Sequence, residues 1–301
     1  MNITILGCHS ATPRSNYHTT SQLIELKNNL FLVDCGEGTQ VRLREERVKF
    51  SRIKNIFISH LHGDHFYGLI GLINTFKLLG RTVDLNIYGP KGIKEIIMLQ
   101  IKLSNSWTNF KLFFNELSSF KSELIYQDSI VEVTTIPLNH RVYTNGFLFK
   151  KKEGLRKIDF DKVKEFNIPA CDFENLKNGK DFIDVNNKKI KNSNLTFMPD
   201  KSFSYAFCSD TAFYPKILNQ IKNVDLLYHE STFLNEHKKL ASKTLHSTAE
   251  QAAKIASLAN VGKLILGHFS TRYKDKQIFI QEAKIQFENV VLAEQGQTYK
   301  F

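Results

Sequence analysis

The sequence contains few of the residues that interrupt or cross-link a chain. Its 301 residues include 15 glycines, 6 prolines and 4 cysteines. The cysteines have no CxxC spacing, so a disulfide framework has little support and free thiols are expected. The scarcity of glycine and proline, with a hydrophobic fraction of 42%, is typical of a globular chain and argues against general disorder.

Long apolar runs are also missing. The longest extends from Phe66 to Leu79 and is interrupted by Asn74 and Lys77, which predicts a buried helix and not a membrane span. The opening residues MNITILGCHS lack the basic leader and apolar segment of a secretory signal. We therefore expect a cytoplasmic protein with no membrane association.

Acidic residues are outnumbered by basic ones, which gives a formal net charge of +11. Such a field attracts polyanions, including nucleic acids and anionic membranes. A lysine-rich composition also occurs without any nucleic-acid role, so the charge alone leaves the partner open.

The hydrophobic pattern predicts two halves, each a sheet covered by helices, and hence the α/β class. In the first half, predicted strands are ITIL, QLIEL, LFLVDCG, NIFIS and DLNIYGP, and predicted helices span 38–48, 68–79 and 93–103. Further predicted strands, with a more antiparallel section at their start, are LFFNEL, ELIYQ, IVEVTTIPLNH, NGFLFKK, SYAFCSD, VDLLYHES, KLILGHF and VVLAEQGQTYKF, with helices over 248–259 and 277–287.

Residues 150–201, between the halves, have weak strand signals and carry the basic clusters KKKEGLRK and NNKKIKN. This pattern predicts an insertion. Its apolar residues permit a short helix or a small subdomain, namely Leu155, Ile158, Phe160, Val163 and Phe166. Charge runs are usually solvated faces, so binding by these clusters needs other support.

The segment SHLHGDH follows a predicted strand and places His60, His62, Asp64 and His65 within six residues. Imidazole and carboxylate groups are typical zinc ligands. Neighbouring side chains in so short a loop cannot all converge on one ion, so we expect two ions, with further ligands from elsewhere. Candidates at the ends of predicted strands are His140, Asp210 and His268.

Several motifs, in their order along nearly the whole chain, resemble the metallo-β-lactamase-fold hydrolases and, among these, the ribonuclease Z family. HLHGDH is general to the superfamily. The more specific matches are DCGEGTQ (34–40), HGDHFYGLIGL (62–72), YGPKGIK (88–94), HESTF (229–233), HSTAEQAA (246–253) and LGHFSTRY (266–273).

The resemblance implies a single domain over 1–301, a four-layer αββα sandwich of the metallo-β-lactamase type with an inserted arm at 150–201. It also implies two Zn²⁺ per subunit. One ion would be held by His60, His62, His140 and Asp210, and the other by Asp64, His65, His268 and the shared Asp210.

For catalysis, the resemblance and the local sequence suggest three residues. Asp64 is expected to act as general base as well as ligand. His246 is expected to assist the leaving oxygen, because Ser247 and Glu250 form an S-x-x-E capping box that would hold it near a helix N-terminus. Glu230 would orient this histidine and favour its protonated form.

The implied function is zinc-dependent removal of 3′ trailers from precursor tRNA. Hydrolysis after the discriminator base would leave a 3′-hydroxyl on the tRNA and a 5′-phosphate on the trailer. The inserted arm would contact tRNA phosphates, and a homodimer would let one subunit's arm serve the other's site. Basic candidates for these contacts are Lys150, Lys151, Lys152, Arg156 and Lys157.

Two alternatives stay open. One is another dinuclear zinc hydrolase of this fold, acting on a small phosphodiester, a thioester or a lactam. The other is a catalytically silent RNA-binding module, although such a module would not need a complete set of metal ligands.

The chain departs from the resembled pattern in two places. After NIP (167–169), Ala170, Cys171 and Asp172 stand where many bacterial members have a glycine-proline pair, which puts the shape of the arm in doubt. The loop TPRSNYHTTSQ lacks the usual basic spacing, and Arg14 is a candidate to replace part of a phosphate contact.

Overall fold

The computed structural model describes residues 1–199 and 201–300, and its architecture rests on two seven-stranded sheets. The first sheet has the order β18-β1-β2-β3-β4-β5-β6. Its strands are β1 (Asn2–Gly7), β2 (Ser21–Leu26), β3 (Asn29–Val33), β4 (Ile53–Phe57), β5 (Leu85–Pro90), β6 (Leu112–Leu117) and β18 (Thr298–Lys300). Strands β3 to β6 are parallel.

The second sheet has the order β17-β16-β15-β14-β9-β8-β7. Its strands are β7 (Leu124–Gln127), β8 (Val131–Pro137), β9 (Asn145–Lys151), β14 (Phe203–Cys208), β15 (Leu226–Glu230), β16 (Lys263–Gly267) and β17 (Val290–Leu292). Strands β14 to β17 are parallel, and β7 to β9 form the antiparallel section.

Helices cover the outer face of each sheet. On the first sheet these are α1 (Thr39–Glu45), α3 (Gly68–Leu78) and α4 (Ile93–Leu103), while the single turn α2 (Gly63–Phe66) lies at the sheet edge. The second sheet is covered by α8 (Ala249–Leu258) and α9 (Gln277–Lys284), preceded by α7 (Lys238–Thr244). The predicted αββα sandwich is confirmed.

Alternation along the strands explains the layers. In β4, Ile56 packs in the cluster beneath α1, α3 and α4, whereas Phe57 packs in the cluster between the sheets. The ring centroid of Phe57 lies 5.4 Å from that of Phe147 on β9. Successive side chains of a strand point to opposite faces, so strands buried on both faces are apolar throughout.

The predicted final strand VVLAEQGQTYKF is wrong as a single element. Val290–Leu292 pairs with β16 in the second sheet, whereas Thr298–Lys300 pairs with β1 in the first. Between them the chain turns at Gly296, which has φ +80°, a value that glycine adopts without strain. Phe301, at the end of the predicted strand, lies outside the described residues.

Within 150–201, of which Asp200 lies outside the described residues, the chain forms a small folded unit. Its elements are β10 (Lys157–Ile158), α5 (Phe160–Glu165), α6 (Phe173–Lys177), β11 (Phe182–Ile183), β12 (Lys189–Ile190) and β13 (Thr196–Phe197). Ile158 and Val163 belong to a separate apolar cluster with Leu176 and Leu195, whereas Leu155 and Phe160 are exposed. We refer to this unit as the arm.

The arm joins the sandwich at the far ends of β9 and β14 from the edge where β14 ends at Cys208. Strand β9 has 7 residues, so at roughly 3.4 Å per residue its two ends lie about 20 Å apart. Lys150 and Lys151 are part of this strand.

Among the helices of the described residues, none has the length and apolar character needed to cross a bilayer. The four cysteines are free thiols, with only Cys171 exposed.

Candidate active site

The candidate site lies at an edge of the sandwich where strands from both sheets end. His60 follows β4, His140 follows β8, Asp210 follows β14 and His268 follows β16. The backbone NH of Asn145, at the start of β9, donates to the carbonyl of Ser59 at 3.1 Å and ties the two sheets together here. Parallel strands of one sheet end at the same edge, which is why residues distant in sequence meet.

Four of the predicted residues form a first ligand group, namely His60, His62, His140 and Asp210. Nδ1 of His62 lies 3.0 Å from Nε2 of His60 and 3.3 Å from Nε2 of His140. Oδ2 of Asp210 lies 3.6 Å from Nε2 of His60 and 3.7 Å from Nε2 of His140. In a tetrahedral zinc site with bonds of about 2.0 to 2.1 Å, ligand atoms lie roughly 3.3 to 3.4 Å apart. The observed spacing therefore fits one ion.

The second group is formed by Asp64, His65 and His268. Oδ2 of Asp64 lies 3.4 Å from Nε2 of His65 and 3.5 Å from Nε2 of His268. Oδ1 of Asp210 lies 3.2 Å and 3.1 Å from the same two nitrogens. Asp210 thus presents one carboxylate oxygen to each group, the arrangement that a bridging ligand requires.

The donor atoms themselves indicate that this site fits cations. Nε2 of His65 and Nε2 of His268 are buried and have no hydrogen-bond partner among the described residues. Leaving a buried polar group unpaired costs about 1 to 3 kcal/mol. A divalent cation held by these nitrogens and the adjacent carboxylates would satisfy them, and imidazole with carboxylate is a donor set that suits zinc.

A buried carboxylate orients part of this cluster. Oδ2 of Asp34, just after β3, accepts from Nδ1 of His65 at 2.7 Å and from the hydroxyl of Ser59 at 2.8 Å. Oδ1 of Asp34 accepts from the backbone NH of Ser59 at 2.7 Å. Because Nδ1 of His65 carries the hydrogen, its Nε2 is directed to the ligand group as a lone-pair donor.

Two other ligand histidines are held in the same way. Nδ1 of His268 donates to the hydroxyl of Thr232 at 2.8 Å, and Nδ1 of His140 donates to the carbonyl of Leu245 at 3.0 Å. Both rings therefore present Nε2 to the site. His62 differs, since it contributes Nδ1.

The backbone at three of these positions is left-handed. Asp34, Asp210 and His268 have φ of +57°, +59° and +59°. For non-glycine residues this conformation costs about 1 to 2 kcal/mol each. The concentration of such residues at strand ends is typical of functional sites, where the surrounding structure imposes the conformation.

His246 forms a buried pair with Glu230. Nδ1 of His246 donates to Oε1 of Glu230 at 2.7 Å. Glu230 also accepts from the backbone NH groups of Thr211 and Thr232, both at 3.0 Å, and from the hydroxyl of Thr232 at 2.6 Å. Four donors compensate a fully buried carboxylate.

This pair sets the charge of the histidine. Burial lowers the pKa of His246, but the charge and hydrogen bond of Glu230 outweigh burial and raise it to about 9. Burial raises the pKa of Glu230, yet His246 brings it below its usual value. His246 is therefore an imidazolium at neutral pH, with Nδ1 committed to Glu230.

The predicted Ser247–Glu250 capping box is wrong by one residue. Thr248 is the N-cap of α8 and accepts from the backbone NH of Gln251, whose side chain accepts from the NH of Thr248. Ser247 instead donates its hydroxyl to the carbonyl of Thr211 at 2.7 Å. T-x-x-Q satisfies the capping rule as well as S-x-x-E, so the sequence pattern alone did not choose between the two. Both contacts fix the backbone after His246.

A cavity of about 270 Å³ opens onto both ligand groups and His246. Asp64, Asp210 and His268 line it, together with Ser10 and Ser270 from two neighbouring loops. The cavity thus brings a candidate base, a candidate acid and the shared carboxylate to one space.

The predicted basic residues lie outside this cavity, at the arm end of β9. Arg156 is engaged within the arm, where Nε donates to Oγ1 of Thr196 at 2.7 Å. Lys152 pairs with Glu132, Nζ to Oε1 at 3.3 Å. Lys150 and Lys157 are exposed and Lys151 is half-buried. Their role in binding stays a prediction.

Sequence reasoning gave no role to Asp34, Ser59 or Thr232. Asp34 begins the motif DCGEGTQ and follows a predicted strand, so the rule that identified Asp210 would have identified it too. Thr232 lies within HESTF, but nothing in the sequence indicates that its hydroxyl connects His268 to Glu230.

Comparisons with known proteins agree with this site and fold. Residues 1–155 match the family model described as "Anti-Pycsar protein Apyc1". The chain is 45% identical over 292 residues to a Bacteroides fragilis protein named Ribonuclease Z, covering 97% of this chain and 96% of that protein. Identity to a Bacteroides thetaiotaomicron protein of the same name is 46% over 292 residues, covering 97% and 92%.

Among solved structures, human tRNase Z, short form, superimposes with a TM-score of 0.72 at 24% identity, covering 100% of this chain and 99% of that one. The Apyc1 model matches about half of the chain, whereas the bacterial relatives named Ribonuclease Z match nearly all of it. The chain belongs to the ribonuclease Z family of metallo-β-lactamase-fold proteins.

Proposed function

We propose that this protein is an endoribonuclease that removes 3′ trailers from precursor tRNA. The observation that carries the chemistry is the Glu230–His246 pair beside two ligand groups that share Asp210. The substrate class is supported by the relatives named Ribonuclease Z. The products would be a tRNA with a 3′-hydroxyl and a trailer with a 5′-phosphate.

We propose that the resident metal is zinc, with two ions per subunit. His60, His62 and His140 with Oδ2 of Asp210 would hold one ion. Asp64, His65 and His268 with Oδ1 of Asp210 would hold the other. Bound there, the ions would supply a lowered pKa for water and stabilisation of charge on the phosphate oxygens.

The chain's own residues perform the remaining steps. Asp64 lines the cavity and would accept a proton from the attacking water. His246, protonated and fixed by Glu230, would donate a proton to the leaving 3′-oxygen of the tRNA. The Glu230 carboxylate keeps the imidazole in this orientation and favours the protonated form before the proton is donated.

We propose that the arm binds tRNA by phosphate contacts, mainly through its exposed lysines. Its attachment at the far end of β9 places it about 20 Å from the cavity of the same chain. This separation favours a homodimer in which each arm serves the partner's site. Precursor tRNA as substrate also favours a cytoplasmic location.

The outer helices of the first sheet offer a surface for such a dimer. Aliphatic side chains that are more than half exposed lie on or beside α1, α3 and α4, namely Val41, Leu78, Leu79, Leu99 and Leu103. Exposed apolar side chains on one helical layer favour association. Light scattering on the purified protein tests this: Leu103→Asp is expected to give monomers, whereas Val185→Asp on the arm, at a still more exposed position, is expected to leave the dimer intact.

Cleavage of a defined precursor tRNA by the zinc-loaded protein, with mapped product ends, tests the proposed function. A single cut after the discriminator base, weakening as salt rises, is the expected result. Efficient hydrolysis of small diesters with an uncut precursor would instead favour a different hydrolase of this fold. Binding without cleavage of either substrate would favour the silent RNA-binding module.

A further inference from the structure

Two loops at the edge of the active site carry exposed side chains that the ligand groups do not use. Strand β6 is parallel to β5, so residues 118–123 leave the first sheet at the same edge as His60 after β4. Residues 138–144 follow β8 and include His140. Five side chains from these two loops form what we name the rim patch, namely Phe120, Lys121, Arg141, Val142 and Tyr143.

Hydrogen bonds fix the two loops against each other. The hydroxyl of Tyr143 donates to the carbonyl of Ser119 at 2.9 Å and accepts from Nδ2 of Asn145 at 2.8 Å. The backbone NH of Lys121 donates to the hydroxyl of Ser119 at 3.1 Å. The ring of Phe120 meets that of Tyr143 edge-on, with 5.3 Å between the centroids. The rim patch is therefore a formed surface, and a partner that binds to it has little ordering to impose.

Phe120 is 79% exposed although its loop is held in place. Tyr143 is its one ring contact among the described residues. Val142, at 41% exposure, adds apolar surface on the facing loop. Exposed apolar surface beside an active site indicates a contact with a partner or a substrate.

The rim patch also carries positive charge next to the cavity. Lys121 and Arg141 are exposed, and neither has an ion-pair partner in the described part of the chain. Arg141 lines the cavity of the ligand groups, and its neighbour His140 has its ring centroid 4.9 Å from that of His246. The patch therefore adjoins the wall that carries His246. In the proposed function His246 faces the leaving 3′-oxygen of the tRNA, so this wall lies on the tRNA side of the scissile bond.

We propose that the rim patch receives the end of the acceptor stem. Phe120 stacks on the terminal base pair, and Arg141 binds the phosphate on the 5′ side of the discriminator nucleotide. The inference rests on the proposed function, because that function defines which nucleotides flank the cut.

The size of the cavity explains why such a surface is needed. A cavity of about 270 Å³ is too small for a duplex, so the discriminator nucleotide has to leave the end of the stem to place its 3′-oxygen beside His246. This movement uncovers the face of the terminal base pair. An aromatic ring against that face replaces the lost stacking, and a guanidinium binds phosphate oxygens through paired NH groups. Phe120 and Arg141 supply these two groups on one surface.

Photo-crosslinking maps this surface directly. With p-benzoylphenylalanine in place of Phe120, irradiation of the zinc-loaded protein bound to precursor tRNA should attach the protein to the terminal base pair, and reverse transcription reads the position. The same amino acid in place of Phe113, an exposed ring near the start of β6, is the matched control and should not react there. Attachment of the probe at position 120 mainly to another part of the tRNA, or no attachment, would overturn the inference.

Cleavage kinetics test the stacking contact. Phe120→Ala should lower kcat/KM on precursor tRNA roughly 5- to 100-fold, the range expected for one stacking contact. Phe120→Trp should retain the rate because it keeps a ring, and Phe113→Ala should match the parent. Circular dichroism and metal content of each variant check that the fold and the metals are intact. A parent rate in Phe120→Ala would refute the stacking role.

A precursor with an uncharged methylphosphonate on the 5′ side of the discriminator nucleotide tests Arg141. The parent should lose roughly 10- to 100-fold in kcat/KM on this substrate, the range expected for hydrogen bonds to charged groups. Arg141→Ala should lose a similar factor on the natural precursor, and the two changes together should cause little further loss because both remove the same contact. Arg47→Ala removes an exposed arginine that lines a separate cavity, and it should keep the full methylphosphonate effect. Additive losses in Arg141→Ala would contradict the phosphate contact.

The crosslink does not require cleavage, so it separates this inference from the proposed function. If the precursor is bound but never cut, the proposed function fails, and a crosslink to the terminal base pair still supports the rim patch. If the precursor is cut efficiently and the crosslink lies away from the terminal base pair, the rim patch alone is refuted.

Discussion

Replacing His246 by alanine tests whether the Glu230–His246 pair protonates the leaving group. General acid catalysis contributes about 10²- to 10⁴-fold, or about 3 to 5 kcal/mol of barrier. We expect His246→Ala to lower kcat on precursor tRNA by that factor. On a p-nitrophenyl diester, whose leaving group is weakly basic and departs without a proton, we expect a loss of less than about 10-fold.

The structure indicates that this variant should fold. Glu230 keeps three of its four donors, the two backbone NH groups and the hydroxyl of Thr232. Losing one partner of a buried group costs about 1 to 3 kcal/mol, which a domain of this size tolerates. Circular dichroism and thermal unfolding of the metal-loaded variant check this directly.

A double-mutant cycle checks how Glu230 acts. If Glu230 works only through His246, adding Glu230→Gln to His246→Ala should cause little further loss on precursor tRNA. Additive losses would refute the paired role. Equal losses on both substrates would refute proton donation to the leaving oxygen.

The metal content of the variant tests the alternative that His246 is a metal ligand. His246 also lies within a group with Asp210 and His268 that could hold an ion. Mass spectrometry of the purified variant should find the parent's metal content. A fall in metal content would identify His246 as a metal ligand and would refute its assignment as the general acid.

Three further predictions concern metal affinity, the arm and acid stability. Asp34→Asn should weaken metal binding about 10- to 100-fold, because it disturbs the hydrogen bond that directs His65. Competition with a chelator measures the metal affinity, and an unchanged affinity would contradict the role given to Asp34. Replacing residues 153–198 by a short glycine-serine linker should weaken tRNA binding in a filter assay, while the rate of diester hydrolysis should stay within about twofold of the parent. If the shortened protein binds tRNA as tightly as the parent, the arm is not a binding element. Burial lowers the pKa of His9 to about 3, so this residue's contribution to stability is present above about pH 6.5 and is lost as the pH falls towards 3, at up to about 1.4 kcal/mol per pH unit. Denaturant unfolding between pH 6.5 and 4.5 should show a shallower decline in His9→Gln than in the parent, and identical slopes would contradict this assignment.

Local pattern was sufficient for most elements. Helix 93–103 and the strands LFFNEL and NGFLFKK occupy the predicted residues, because each has a hydrophobic period that only one secondary structure can bury. The failure at residues 290–301 has a definite cause. VVL and TYK each have strand character, but whether they continue as one strand depends on which sheet has an open edge for each.

Within the site, the segment SHLHGDH likewise shows what local sequence predicts and what depends on the tertiary structure. Its composition by itself predicts metal ions, and more than one of them. The pairing of atoms was not in the sequence: Oδ1 and Oδ2 of Asp210 face different histidines, and His62 alone presents Nδ1. These choices depend on distances of a few ångströms between strand ends that are far apart in the chain.

The sequence by itself therefore determined the elements, the ligand types and the resemblance to one family, because hydrophobic periodicity and short motifs are local properties. Only the tertiary structure decided that Asp34 and Thr232 support the ligand histidines and that Thr248 and not Ser247 caps α8. The support by Asp34 and Thr232 depends on contacts between segments brought to one edge by two stacked sheets, which local sequence does not specify. The cap is a local contact, but two overlapping sequence patterns fitted it equally well.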